Sequence, residues 1–239
     1  VEVGATHKTH LRDYERAITD QTGMILRVNP SNYRITGFSK EVQIADLVTL
    51  KRKRPIWIVD DLGCGALIDL RPYGLPSEPT VQQSIAAGAD AALFSGDKLI
   101  GGPQSGIIVG RKDALQAIKT HPLSRMLRVG KLTDIALEQT LRLFLEPETL
   151  LQHHPTLRML AVPRETLRQR AEALRLRLAS EPRLSLDVVT TQSATGGGSL
   201  PDVPIASYAL AVTAEEHSAR ELSRLLRHHE PPIIARIEQ

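Results

Sequence analysis

The stretch Ser95-Gly96-Asp97-Lys98-Leu99-Ile100-Gly101-Gly102-Pro103-Gln104-Ser105-Gly106 separates two short apolar runs of the chain, residues 91–94 and 106–110. Both runs have the length and composition of buried strands. A lysine in a glycine-lined loop between core strands is unusual, because lysines mostly occupy solvated faces where their charge stays hydrated. Taken alone, this stretch fits a hairpin with a surface charge as well as a reactive amine in a ligand site.

Composition limits the class of protein. The 239 residues are 41% hydrophobic, which is enough for a sizeable core in one or two domains. The formal net charge of +3 permits an anionic partner but is too small to identify one. The single cysteine excludes an internal disulfide and indicates a reducing compartment, so we expect a cytoplasmic protein. No apolar run approaches the roughly 20 residues of a membrane span, so no membrane partner is expected.

The two ends of the chain read as internal sequence. Residues 1–4 resemble the end of a strand already under way, and no initiator Met precedes them. Residues 233–237 read as a strand with nothing after it to cover it. We therefore expect a fragment of a longer protein that lacks an N-terminal part and a C-terminal end.

Strands and helices alternate in the first half of the chain. This order predicts an α/β fold with a mostly parallel, doubly wound sheet, in which ligands bind beyond the carboxyl ends of the strands. The loops at Asn29, Asp60-Asp61 and Ser95–Lys98 lie at such ends. The predicted strands are 24–28, 55–59 and 90–94, and the predicted helices are 11–20, 40–51 with Ser39 as its cap, and 82–87.

A long helix and a helix break organise the second half. Residues 131–145 predict a helix whose broad buried face contains Leu132, Ile135, Ala136, Gln139 and Leu143. Glu146-Pro147 breaks it, which places a domain boundary there: a large domain over 1–146 and a small C-terminal α/β domain over 147–239. The small domain is predicted to contain helices 163–179 and 215–227 and strands 185–190, 206–212 and 233–237.

Three features that resemble binding motifs have plainer explanations. The run Lys51–Arg54 is favoured as a solvated helix end over a nucleic-acid patch. Residues 196–198 are three glycines without the strand–loop–helix setting of a nucleotide site, which predicts a mobile loop. The histidines show no metal-ligand spacing, so we expect no metal site and place them at the surface or at helix ends. They are His7, His10, His153, His154, His217, His228 and His229.

Lys98 and an upstream aspartate together match the needs of pyridoxal 5'-phosphate. This cofactor requires a lysine for a Schiff base, a carboxylate for its pyridine nitrogen and donors for its phosphate. Asp60 or Asp61 supplies the carboxylate, Ser95 offers a hydroxyl, and Gly96 offers a free backbone N–H. Lys98 together with an upstream aspartate indicates a pyridoxal-phosphate site far more specifically than either residue alone.

Two stretches of the sequence that contain this aspartate and this lysine resemble a known family. Asp61-Leu62-Gly63-Cys64-Gly65 and the stretch 95–104 are similar to the bacterial selenocysteine synthases, the L-seryl-tRNA(Sec) selenium transferase family of fold-type-I pyridoxal-phosphate enzymes. The resemblance covers nearly all of residues 1–145 and weakly the rest. It also includes residues 31–35 with Gly37-Phe38, 73–76, 121–123 with Arg125 and Arg128, and 198–201.

The resemblance implies roles at the cofactor. Lys98 would be the Schiff-base lysine and Asp61 the partner of the pyridine nitrogen, because the family aspartate stands directly before Leu-Gly, where Asp60 does not. Asp97 would assist at the active site, or else simply form the turn. Ser95 and Gly96 would contact the cofactor. Cys64 stands where the family usually has Ser, and we favour tolerance by size over a reactive thiol.

The resemblance also implies substrate contacts. Arg125 and Arg128 are spaced i, i+3, so on a helical turn both would point the same way and clamp selenophosphate, the selenium donor of the family. Two surface arginines are the plainer alternative. Thr6 and Asn32 would contact substrate, although Ala5 and His7 beside Thr6 depart from the family pattern. His121 belongs to the pattern without an assigned role.

The implied activity is conversion of seryl-tRNA(Sec) to selenocysteinyl-tRNA(Sec) with selenophosphate, through a dehydroalanyl intermediate. The implied assembly is a ring-like homo-oligomer, a decamer in the family. One alternative is a lyase on the same scaffold that acts on a small amino acid or amino-sugar acid, because the same lysine and aspartate would serve it. A non-catalytic RNA-binding module, suggested only by the basic residues, is the other.

Overall fold

Four strands form the sheet that carries the site. The computed structural model of the chain describes residues 1–4, 8–33, 35, 37–195, 198–200 and 203–238. Strands β1 (Met24–Val28), β2 (Trp57–Gly63) and β3 (Ala91–Ser95) are parallel neighbours in that order, and β4 (Gly106–Gly110) pairs antiparallel with β3. The predicted α/β class with a mostly parallel sheet is confirmed. Residues 96–105, which we call the lysine loop because they contain Lys98, connect β3 to β4, the only antiparallel pair of this sheet within the described residues.

The helices around this sheet are mostly short. The best-defined start is at Thr80, where a capping box links Thr80 and Gln83 through hydrogen bonds of 3.0 and 3.2 Å. The helices are α1 (Leu11–Ala17), α2 (Ile44–Thr49), α3 (Val81–Ala86), α4 (Lys112–Thr120), α5 (Ser124–Leu127), α6 (Lys131–Leu143), α7 (Leu150–His153) and α8 (Pro155–Leu160). No helix within the described residues is both long and apolar enough to cross a membrane.

Helix α2 begins four residues later than predicted, and Ser39 does not cap it. Gln43 is the residue before its first turn. The preceding chain is extended because Lys40 forms an isolated parallel bridge with Lys8, and the Lys40 carbonyl accepts a hydrogen bond from Thr9 N at 2.9 Å. Long-range backbone pairing therefore outweighs the local capping signal at this position.

One face of β2 is buried in the apolar core. Ile58, Asp60 and Leu62 of β2 are buried, whereas the residues between them are partly exposed. Ile58 packs with Leu47 and Leu50 in one apolar cluster. Leu62 packs with Phe94 and Ile100 in a second cluster, directly beneath the lysine loop. The alternation of β2 consequently leaves Asp61 on the open face of the sheet.

Helix α6 packs through a different face from the one predicted. Leu137 and Leu141, with Phe144 just beyond the helix, contact the cluster around Ile100. Leu132 is 85% exposed and Ile135 is 57% exposed, so the predicted burial of these residues is wrong within this chain. The helix is apolar on more than one side, and packing against β3 and β4 selects the side that is covered.

The chain divides into two compact units. The first contains Val1–Ala161 and Thr195–Val203, and the second contains Val162–Ala194 and Pro204–Gln239. In the second unit, β5 (Leu184–Ser193) and β6 (Ile205–Ala214) form an antiparallel pair against which α9 (Arg164–Leu178) packs. Helix α10 (Ala219–His228) follows. Glu146-Pro147, the predicted boundary, lies inside the first unit between α6 and α7.

The strand predicted over residues 233–237 does not form. Ile233 N donates to the Leu226 carbonyl at 2.9 Å, and the Arg236 guanidinium donates to the Gln192 carbonyl at 3.0 Å. The segment is held by these single contacts and not by a ladder of backbone bonds. Its apolar side chains are exposed, at 45% for Ile233, 67% for Ile234 and 46% for Ile237, so the apolar composition did not lead to strand pairing.

Candidate active site

The carboxyl ends of β1, β2 and β3 open into one cavity of about 1240 Å³. This is the edge at which parallel sheets bind ligands, and the volume suffices for a small-molecule site of roughly 300–1,000 Å³. The loop after β1 brings Ser31 and Asn32, β2 brings Asp61, and the end of β3 brings Ser95 and Lys98. The segment from α5 to α6 adds Leu127, Arg128, Val129, Gly130, Lys131 and Asp134.

The adjacent aspartates of β2 have different environments. Asp60 is 1% exposed and accepts hydrogen bonds from Arg27 Nη1 at 3.1 Å and Ser84 Oγ at 2.7 Å. Asp61 lines the cavity and accepts from Gly63 N at 3.1 Å. Because an ionised carboxylate has about four acceptor positions, Asp61 retains capacity toward the cavity. The geometry therefore assigns Asp60 to the fold and leaves Asp61 for a ligand.

The side chain of Lys98 lies between Ser31 and Gly198. Lys98 Nζ donates to Ser31 Oγ at 3.0 Å. A Cβ added to Gly198 would lie 2.8 Å from Lys98 Cε, and one added to Gly63 would lie 2.7 Å from Ser31 Cβ. Both glycines have positive φ, +95° and +67°, which other residues rarely adopt. The lysine is thus confined on two sides before any ligand binds.

Sequence reasoning assigned no role to Ser31 and expected a mobile loop around Gly198. Gly198 instead packs on Lys98, and Ser199 and Leu200 beside it are buried. Gly196 and Gly197 lie outside the described residues. The signal that could have predicted this contact was the family resemblance at residues 198–201, because a run of glycines does not by itself indicate which residue it packs against.

The backbone of the lysine loop is closed on itself. Gly101 N donates to the Lys98 carbonyl at 2.9 Å, and Gly102 N donates to the Gly96 carbonyl at 2.8 Å. Gly96 N donates to the Ser105 carbonyl at 2.9 Å. The prediction that Gly96 offers a free N–H is therefore wrong, because the hairpin itself uses that donor. Ser95, which lines the cavity, keeps its place as a candidate contact.

The two predicted arginines do not share a helical face. Helix α5 ends at Leu127, and Arg128 has extended backbone with ψ of 140°. The i, i+3 argument assumed a continuous helix, so its premise is wrong here. Arg128 lines the cavity, whereas Arg125 is not among the described residues that do. Lys131, in the first turn of α6, is a second cation along the same wall.

The other predicted site residues differ in whether they line the cavity. Asn32 lines the cavity. Asp97 is exposed and is not among the cavity-lining residues that the structure describes. Thr6 lies outside the described residues. His121 is exposed and its Nδ1 accepts a hydrogen bond from Leu123 N at 3.2 Å, which shapes the turn after α4.

Cys64 is a buried thiol beside a carboxylate. It is 2% exposed, and its Sγ lies 3.7 Å from Glu78 Oε2. Burial, and then the negative charge of Glu78, raise the pKa of Cys64 to about 12. A thiol of this kind stays protonated near neutral pH and is a poor nucleophile, which agrees with a residue tolerated for its size.

The basic run at residues 51–54 is largely paired with acids. Lys51 Nζ contacts Asp90 at 2.6 Å, Lys53 Nζ contacts Glu15 at 3.0 Å, and Arg54 pairs with Asp20. These pairs support the helix-end interpretation over a nucleic-acid patch. Among the described residues, no group of three histidine, cysteine, aspartate or glutamate side chains is placed to hold a metal ion.

His154 departs from the predicted surface position. It does stand at a helix end, directly before α8, but it is 0% exposed. Its Nε2 lies 2.8 Å from the carbonyl oxygen of Ile100, in the lysine loop. No spacing in the sequence could reveal this contact, because 54 residues separate the partners.

The cavity residues offer the groups that pyridoxal phosphate requires. Lys98 supplies an amine, Asp61 an acceptor and Ser95 a hydroxyl, all lining one cavity. Among solved structures, D-glucosaminate-6-phosphate ammonia-lyase aligns over 99% of this chain and 55% of its own, with a TM-score of 0.57 and 23% identity. This likeness places the chain in the class of α/β proteins that share the fold of that lyase.

Within that class, the model of the L-seryl-tRNA selenium transferase family matches residues 1–239, and the chain belongs to this family. The L-seryl-tRNA(Sec) selenium transferase of Desulfotalea psychrophila is 48% identical over 100% of the chain. The protein of the same name from Moorella thermoacetica is 47% identical. The chain spans about half the length of these relatives, 52% and 51% respectively. Both relatives carry the name of the transferase and not of a lyase.

Proposed function

We propose that the protein to which this chain belongs converts seryl-tRNA(Sec) to selenocysteinyl-tRNA(Sec), with selenophosphate as the selenium donor. The observation that carries the proposal is the presence of Lys98 and Asp61 in one cavity of a chain from this family. An aminoacyl-tRNA substrate is consistent with a cytoplasmic enzyme.

Lys98, Asp61 and Ser95 would hold pyridoxal phosphate. When bound, the cofactor supplies an electron sink that makes the Cα proton of the seryl group removable. Lys98 Nζ would hold the cofactor and then move the Cα proton, and Ser31 Oγ, 3.0 Å away, would orient the amine for both tasks. Asp61 would keep a proton at the pyridine nitrogen, Ser95 would hydrogen-bond the cofactor, and Asn32 would contact the substrate from the same cavity.

Arg128 is our candidate for binding the donor phosphate. It lines the cavity, and a guanidinium can bind a tetrahedral anion through two hydrogen bonds. Lys131, on the same wall, would add positive charge. Arg125 is a candidate only because of the family resemblance, and we assign it a smaller contribution to binding of the donor phosphate. Asp97 and Thr6 remain candidates on the same basis.

We also propose a homo-oligomer in which a second copy covers the outer face of α6. Exposed apolar side chains outside the cavity are concentrated on α5 and α6, including Met126 at 76%, Leu132 at 85% and Ile135 at 57%. Clusters of large exposed apolar residues mark interaction surfaces. The decameric ring implied by the family is the form we expect.

Borohydride trapping tests the cofactor assignment. The intact protein is loaded with pyridoxal phosphate, reduced and mapped by peptide mass. Label on Lys98 alone is expected, and Lys98→Ala should lose it while Lys119→Ala, on the exposed side of α4, should keep it. Label on another lysine of the wild-type protein would overturn the proposal.

Selenium transfer tests the donor site. Arg128→Ala should raise the KM for selenophosphate by about tenfold or more through loss of a charge-assisted bidentate contact, with cofactor absorbance unchanged. Arg125→Ala is the matched control and should change the KM less. A larger effect at Arg125 would show that the cavity wall formed by Arg128 and Lys131 is not the donor site.

A further inference from the structure

His154 is tied to two segments of the first unit at once. Its Nε2 lies 2.8 Å from the Ile100 carbonyl oxygen, and Leu157 N donates to its Nδ1 at 3.2 Å. The ring is 0% exposed. One imidazole therefore joins the lysine loop to the first turn of α8.

These partners determine the protonation state of the ring. A carbonyl oxygen can only accept, so Nε2 must carry a proton, and an amide N–H can only donate, so Nδ1 must be bare. His154 is accordingly neutral, with its proton on Nε2. Both ring nitrogens are satisfied, which explains how a polar side chain is accommodated without solvent.

The ring is also confined by packing. Phe144 meets it edge-on with ring centroids 5.2 Å apart. A Cβ added to Gly101 would lie 2.6 Å from His154 Cε1, and Gly101 has a φ of +68°. The glycine lets the loop backbone approach the ring closely, so the imidazole cannot shift without moving the loop.

The loop that His154 contacts is the one that presents Lys98. Ile100 is 0% exposed and packs with Leu62 and Phe94, so its carbonyl has a fixed direction. The next residue, Gly101, donates from its N–H to the Lys98 carbonyl at 2.9 Å and closes the turn. The carbonyl bound by His154 is thus two residues from the reactive lysine.

We propose that His154 is a positioning residue that fixes, through Ile100, the turn on which Lys98 is carried. This inference rests on the proposed function for its importance, but the contact itself is independent of any cofactor. Its role is to keep the amine of Lys98 directed into the cavity by limiting motion of the backbone beneath it.

Two isosteric variants of the intact protein separate positioning from helix capping. His154→Asn keeps an acceptor near the Nδ1 position for Leu157 N, because Asn is a good N-cap, but cannot reach Ile100. His154→Gln places an amide donor near the Nε2 position and loses the cap. Loss of the Ile100 contact should speed amide hydrogen exchange at Gly101 and Gly102 by about tenfold in cofactor-free His154→Asn, whereas His154→Gln should stay near wild type.

The second readout is the rate at which borohydride-fixed cofactor appears on Lys98, which should be about tenfold slower in His154→Asn only. Leu157→Ala controls for general damage to α8 and should lower the melting temperature without selective exchange at Gly101. If His154→Asn does not fold, Gly101→Ala displaces the ring by its Cβ and should give the same two changes.

Unchanged exchange in His154→Asn, or equal changes in the Asn and Gln variants, would overturn the proposal and leave a purely structural histidine. Selective exchange with no cofactor on Lys98 in any variant, wild type included, would instead reject the proposed function and keep the positioning role.

Discussion

Each end of the central sheet contains an aspartate, and the two carboxylates differ in how many hydrogen bonds they accept from the chain. Asp90, before β3, is 1% exposed and accepts hydrogen bonds from Lys51 at 2.6 Å, Ile58 N at 2.8 Å and Arg111 at 2.9 Å. Asp61, near the end of β2, accepts from one backbone N–H and faces the cavity. A carboxylate saturated by the chain's own donors stabilises the fold, whereas one left with spare acceptors at a strand end is available to a ligand.

The pKa of Asp90 reflects the same difference. Burial opposes its ionisation, but hydrogen bonds from Lys51 and Ile58 outweigh burial and hold the pKa below the ordinary value of 3.8. The charged form is therefore favoured in the folded protein. Asp90 should contribute to stability throughout the neutral range.

The largest expected effect comes from Asp61→Asn, which removes the carboxylate from the cavity. We expect selenium transfer by the intact enzyme to fall by about 100-fold or more, because the pyridine nitrogen would lose its proton. The melting temperature should hardly change, since the Asp61 side chain accepts a single hydrogen bond, from Gly63 N, among the described residues. Asp60→Asn is the matched control and should lower stability by removing the buried partner of Arg27. A reversed pattern would exchange the roles of the two aspartates.

The next effect is on stability. Asp90→Asn should lower the free energy of unfolding by about 2–4 kcal/mol, because Lys51 loses its buried partner and Arg111 keeps its pair with Asp113 alone of the two carboxylates. The partial exposure of both cations reduces the cost. Chemical denaturation at neutral pH measures it. Selenium transfer per folded molecule should be unaffected, and a stable but inactive variant would contradict the separation of the two sheet ends.

The pH dependence of the unfolding free energy, compared between wild type and Asp90→Asn, gives an independent check. The folded pKa of Asp90 is below its unfolded value of 3.8, so its contribution is complete above pH 3.8 and is lost as the pH falls through the folded pKa. Unfolding free energy of wild type should consequently drop more steeply in that acid range than that of Asp90→Asn. Parallel curves would show that Asp90 is not held ionised by its partners.

A smaller effect is expected at Gly198. Gly198→Ala adds a methyl group 2.8 Å from Lys98 Cε at a φ of +95°, which should slow borohydride-fixed cofactor incorporation by about tenfold. Gly37→Ala is a close control, because Gly37 has a φ of +96° and nothing within 4 Å of its added Cβ. It should cost about 1 kcal/mol of stability and leave Lys98 unaffected. Equal incorporation rates would show that backbone strain alone explains Gly198.

The smallest effect is expected at Cys64. With its pKa raised to about 12, the thiol should react with iodoacetamide at pH 8 only after unfolding. Cys64→Ser should retain selenium transfer within about threefold, because no reacting atom depends on a thiolate. Rapid alkylation of the folded protein, blocked by pyridoxal phosphate, would place the thiol in the cavity.

Local signals identified most of the fold. The apolar runs at 24–28, 55–59 and 90–94 became β1, β2 and β3 within a few residues, because short apolar runs bounded by turn residues favour strands. Local signals failed where distant partners competed with them. Ser39 was a good cap, yet the bridge between Lys40 and Lys8 kept its chain extended. Leu132 and Ile135 were suitable for a core, yet α6 packed through Leu137 and Leu141.

The sequence by itself determined the chemistry of this protein: an amine at Lys98, an aspartate before Leu-Gly, and the order of strands that brings them to one edge of a sheet. Only the tertiary structure decided which donors and acceptors remain available. It satisfied Asp60 with Arg27 and Ser84, used the Gly96 N–H within the hairpin, turned Arg128 and not Arg125 to the cavity, and set His154 beneath the lysine loop. The physical reason is that residue types are local properties, whereas the saturation of a hydrogen-bonding group depends on neighbours that only folding brings into contact.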